Sequence, residues 1–118
     1  MIDRPTDPAT TEHVRALATA LSDVTEKLSH GEAAWFLRGR QFATMSDHHH
    51  DDRRAVWLAA PAGRQESLVE TDAERFFRPP YVGHRGWVGV YLDVPNVDWS
   101  ELAALLAEAH ATIAERRR

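Results

Sequence analysis

Hydrophobic positions recur along this chain in two different periods. After Asp7-Pro8, an N-cap followed by proline at a first helical position, Val14, Leu17, Ala18 and Leu21 fall three, four and seven residues apart. That spacing predicts an amphipathic helix over 8–22. From residue 24 the period changes. VTEKLS (24–29), AAWFLR (33–38), QFATMS (41–46) and RAVWLAA (54–60) read as strands, the second apolar on both faces and therefore buried. Gly39-Arg40 fits a two-residue hairpin turn with glycine first, and the polar run DHHHDDR separates the third and fourth strands. Pro61-Ala62-Gly63 opens a short helix through Val69. A loop braked by Pro79-Pro80 then runs into a strand over 87–92, which Pro95 ends. Asp98 with Glu101 makes a capping-box pair, Val97 can staple onto Leu102, and Leu102, Leu105, Leu106, Ala109 and Ile113 form the stripe of a helix over 98–115. The order α-β-β-β-β-α-β-α predicts an α+β fold. It is a two-layer sandwich, a mostly antiparallel sheet with the two long terminal helices on one face.

Composition narrows the class without naming an activity. The 118 residues suit a single domain spanning 1–118, with 1–6 loose. There is no cysteine, hence no disulfide framework or thiolate chemistry. The N-terminus lacks a signal-peptide core, and no apolar run nears the ~20 residues that span a bilayer, so the expected setting is cytoplasmic, without membrane contact. The count of 14 Lys+Arg against 18 Asp+Glu gives a formal charge of −4. That argues against broad non-specific nucleic-acid binding, which needs many phosphate contacts, but allows a local basic patch. Thirteen of the 14 cations are arginine, and Lys27 is the one lysine.

The candidate chemistry lies in RFFRPPYVGHRGWVGVYL, residues 75–92, which holds no acid until Asp93. Arg78, His84 and Arg85 can donate to phosphate or carboxylate. Tyr81 and Trp87 can stack on a base or ring. Pro79-Pro80 stiffens the approach, while Gly83 and Gly86 permit unusual backbone angles. Arg38 and Arg40 flank the hairpin turn, and Arg53 and Arg54 can extend the same positive surface. The competing structural reading makes Phe76, Phe77 and Trp87 core and the arginines solvated caps. In SDHHHDDRR only His48 and His50 can converge on one side of an extended chain, so no metal site is expected there. No nucleotide-loop, nucleophile-elbow or metalloprotease motif occurs. No cofactor or catalytic residue is assigned, although His30, Glu32 and His84 are acid/base candidates if distant residues assemble.

The strings HGEAAWFLRGRQFAT, AVWLAAPAGRQESLVETDAERFFRPPYVGHRGWVGVYLD and DWSELAALLAEAH together resemble the MmcQ/YjbR family, in the form of its actinobacterial members. The resemblance covers about residues 12–117. It implies a CyaY/frataxin-like α+β sandwich, and its members are often labelled DNA-binding. Many relatives carry a histidine just before the strand tryptophan, where this chain has Gly86, preceded by His84 and Arg85. The expectation is a small monomeric binding domain that meets nucleic acid through the 75–87 loop. The alternatives are a small-molecule protein or enzyme with an anionic-ligand pocket at His84 and Arg85, and a protein-interaction module. A convex patch of exposed Arg38, Arg40, Arg78 and Arg85 favours nucleic acid; a concave pocket at Tyr81, His84 and Trp87 favours a small ligand.

Overall fold

The structure is a computed structural model that describes residues 8–47 and 53–116. The chain runs α1 (Pro8–Thr19), β1 (Val24–Ser29), β2 (Glu32–Leu37), β3 (Arg40–Asp47), β4 (Arg54–Leu58), α2 (Arg64–Thr71), β5 (Phe76–Phe77), β6 (Val88–Tyr91) and α3 (Trp99–Arg116), with a 3₁₀ turn at Gly83–Arg85. All pairings are antiparallel, in the order β1-β2-β3-β4-β6-β5. Asp7 and His48–His50 lie outside the described residues. None of the described helices is long and apolar enough to cross a membrane.

The expected architecture holds, with local corrections. The turn between β2 and β3 is Arg38-Gly39, one residue earlier than Gly39-Arg40. Leu37 pairs with Arg40, and both turn residues carry positive φ, 49° and 85°. That is the pattern of a type I′ turn, whose twist matches the strands it joins. His30-Gly31 makes the β1–β2 turn the same way, at 54° and 80°. Helix α1 stops at Thr19 rather than Ser22, β4 at Leu58 rather than Ala60, and α2 begins at Arg64 rather than Pro61. The two-residue β5 was not expected. It is too short to show a period and exists only because β6 offers an open edge.

Side-chain alternation divides the sheet. Trp35, Ala43, Val56, Leu58, Val88 and Val90 face the helix layer and join Val14, Leu102, Leu106 and Ile113 in one core. Trp35 donates its indole N–H to Glu26 at 2.8 Å, and Glu26 in turn receives Arg15 of α1 at 2.8 Å. Phe42 packs edge-on to His110 of α3; a register shift in the β2–β3 pairing lies beside it. Asp98 Oδ1 accepts the Glu101 N–H at 3.0 Å, as a cap should. Glu101 does not complete the box, because its carboxylate accepts Arg75 at 2.6 Å. Among the described residues, the opposite face, including the paired Thr44 and Trp57, is left without a helix of its own.

Candidate functional site

The loop between β5 and β6 is tied down by one buried side chain. Gln65 of α2 is 4% exposed. Its amide donates to the carbonyls of Gly83, at 2.8 Å, and Trp87, at 2.5 Å, using both of its hydrogens. Gly86 closes the 3₁₀ turn at φ 88°, its N–H bonded to the Gly83 carbonyl at 3.0 Å; a side chain there would be strained. Gly83 has a different role. A Cβ at that position would meet Arg78 Cγ at 2.6 Å, so the arginine stem lies against bare backbone.

This anchored loop parts two cavities, and it divides the residues that the sequence groups together. Arg78, His84 and Arg85 line a cavity of about 280 Å³, together with Gly63, Gln65 and Glu66 of the α2 start and Arg116 from the end of α3. Tyr81 and Trp87 line a different cavity, of about 460 Å³, on the helix-free face of the sheet. Its floor includes Thr44 and Trp57, and His30 and Glu32 stand at the β1–β2 turn end. Arg85 joins the two, its guanidinium carbon lying 5.7 Å from the Trp87 ring centre. Phe76 and Trp87 are core as the structural reading had it, whereas Phe77 is half-buried and stacks on Tyr91.

Arg38, Arg53 and Arg54 do not extend a positive surface toward Arg78 and Arg85. Arg38 pairs with Asp23 at 2.8 Å. Arg53 pairs with Asp93 at 2.8 Å, and its guanidinium lies over the Tyr91 ring. Arg54 is buried, 3.7 Å from Asp47. Arg53 and Arg54 therefore belong to the sheet end and extend no surface toward Arg78. Ten arginines fall within the described residues. Six of them, Arg15, Arg38, Arg53, Arg54, Arg64 and Arg75, have a carboxylate within ion-pair distance. The remaining four are Arg40, Arg78, Arg85 and Arg116. Three of these line the 280 Å³ cavity, and Arg40 donates to the Arg116 carbonyl at 3.3 Å. Three of the four arginines without an ion-pair carboxylate thus line one cavity, which Glu66 also borders, while Lys27 lies apart over the Phe36 ring. Sequence reasoning missed Arg116, since 31 residues and the whole of α3 separate it from Arg85. The start of α2 adds partial positive charge at the same cavity, although the Arg64 N–H is bonded to the Pro61 carbonyl at 3.1 Å. Among the described residues, no cluster of three or more histidines and carboxylates could hold a metal.

A family model described as YjbR matches residues 19–112. The fold is also similar to the crystal structure of Deinococcus radiodurans protein DR2400, of family-model domain DUF419. The TM-score is 0.75 at 18% identity, over 99% of this chain and 86% of that one. No curated protein matches the sequence.

Proposed function

The chain belongs to the YjbR family, and on that footing we propose that it is a binding domain for a small anionic ligand, held in the cavity of Arg78, His84, Arg85 and Arg116. One observation carries the reading: three of the four described arginines without a carboxylate partner line this cavity and the fourth, Arg40, bonds the Arg116 carbonyl beside it, while the other six are neutralised in ion pairs. Unpaired guanidinium groups repel one another, and a phosphate or carboxylate relieves that repulsion. Arginine's planar fork suits such oxygens in a bidentate geometry. His84 adds a donor when protonated. The concave site and the diversion of Arg38 to Asp23 favour a small ligand over a long nucleic-acid track. With about four cations available, a duplex would show a salt slope near −3 to −4 at most, from the rule of about −0.9 per phosphate contact.

The test is a thermal-shift and calorimetric titration with pyrophosphate, and separately with a short DNA duplex over a salt series. Pyrophosphate should raise the melting temperature of the wild type, as any ligand of the native state must. Each charged hydrogen bond is worth on the order of 1.5–3 kcal/mol, so Arg78→Ala with Arg85→Ala should abolish measurable binding. Arg85→Lys should weaken it while keeping the charge. Unchanged affinity in a folded double variant would refute the site. Tight duplex binding with no pyrophosphate response would turn the reading toward nucleic acid.

A further inference from the structure

We propose that the 460 Å³ cavity on the open face of the sheet is a second binding site, distinct from the arginine cluster, for a flat, uncharged, mostly apolar molecule carrying one hydrogen-bond acceptor. Its volume lies in the range of small-molecule sites. Trp57, Trp87, Tyr81, Val82 and Met45 give it an apolar, largely aromatic part, and the other six lining residues are polar. Ring faces this close together favour a planar guest. Neither arginine nor lysine of the described residues lines it, and its carboxylate, Glu32, accepts the Asp47 backbone N–H at 2.9 Å. Among the described lining residues an anion would therefore meet no arginine or lysine, so the ligand class differs from that of the basic cavity.

The need for an acceptor comes from Trp87. The side chain is 1% exposed, and its indole N–H has no partner among the described residues. Buried donors are almost always satisfied, and an exception at a cavity wall points to a missing acceptor. Trp35 shows the ordinary arrangement in this same chain, with its indole N–H on Glu26. The rim adds a second unusual feature. Tyr81 is 73% exposed with a backbone φ of 66°, a conformation rare for a bulky residue and often retained where strain serves a site. It follows Pro79-Pro80, and the Val82 N–H is bonded back to the Pro80 carbonyl at 2.6 Å. An aromatic side chain is thereby held at the mouth of the cavity.

The test uses 2-quinolinone, a neutral bicyclic lactam, with naphthalene as a probe of similar shape and no acceptor. Both are titrated into the full chain labelled with ¹⁵N and followed on the four indole N–H resonances. 2-Quinolinone should move the Trp87 indole proton downfield and leave the Trp35 resonance in place, while naphthalene should bind at least about tenfold more weakly, the loss expected for one buried hydrogen bond. Trp87→Phe should remove that difference. Because Trp87 is core, a second variant guards the test: Thr44→Leu, which fills the floor, should weaken both probes. Pyrophosphate should not displace 2-quinolinone, which separates this site from the arginine cluster. No shift of the Trp87 indole at millimolar 2-quinolinone, or equal binding of the two probes to the wild type, would overturn the proposal.

Discussion

Gln65 shows how much one side chain can decide. Two backbone carbonyls, of Gly83 and Trp87, rest on its amide, and each buried acceptor left unpaired costs about 1–3 kcal/mol. Gln65→Leu should lower stability by about 1–3 kcal/mol in urea unfolding, chiefly through the Trp87 carbonyl because the Gly83 carbonyl keeps the Gly86 N–H, and weaken pyrophosphate binding, with the far-ultraviolet spectrum unchanged. A variant of normal stability would mean the loop does not depend on this clamp. Glu26 is the corresponding residue on the helix side. Its hydrogen bond from Arg15, helped by that of Trp35, holds its carboxyl below the usual carboxylate range, against the opposing pull of burial. A depressed folded pKa means that the stabilisation is present above the unfolded value, near 4.3, and is lost as pH falls through the folded one. Between pH 6 and pH 3 the wild type should therefore lose more stability than Glu26→Gln. Parallel pH profiles for the two proteins would remove Glu26 from the account.

At the scale of elements, the turns and the edge are informative. Arg38 occupies the first position of a type I′ turn at φ 49°, where asparagine is much preferred. Its ion pair with Asp23 is exposed on both sides, and such pairs contribute little. Arg38→Asn should therefore raise stability, by about 0.5–1 kcal/mol on the scale of relieved left-handed strain, measured as a shift in the urea midpoint at constant slope. A loss would show that the Asp23 pair outweighs the strain. In α3, Leu106 is fully buried, and Leu106→Ala should cost on the order of 2–5 kcal/mol through lost transfer energy and the cavity left behind. Strand β1 lies at a sheet edge with Leu28 exposed, and Lys27 beside it is the kind of charge that discourages edge pairing.

For the whole molecule, the distribution of charge matters more than its total. The chain is formally −4, yet Arg40, Arg78, Arg85 and Arg116 gather at one end of the sheet without a carboxylate partner among the described residues. Such a cluster is stabilised by any anion that it binds selectively. At equal ionic strength, sulfate should raise the melting temperature of the wild type more than chloride does. In Arg78→Ala with Arg85→Ala, which also removes cation–cation repulsion, the two salts should act alike. Equal effects in the wild type would leave only general screening.

The hydrophobic periods by themselves determined the α+β class and the long helices on one sheet face, because burial of an amphipathic stripe is a local, repeating demand. The stripe from Leu102 to Ile113 was legible for that reason. The 75–87 loop was also legible as a place of interest, from its lack of acids and its proline and glycine framing. What the chain could not declare was who neutralises whom. Arg38, Arg53 and Arg54 look like Arg78 and Arg85 in one dimension. Their carboxylates, Asp23, Asp93 and Asp47, lie between 7 and 40 residues away in the chain. Likewise, Tyr81 and Trp87 stand within a few residues of His84, yet they line a different cavity, since the residues flanking the 3₁₀ turn border one cavity and the turn itself borders the other. Charge and cavity are set by long-range pairing through space, and only the tertiary structure fixes those distances.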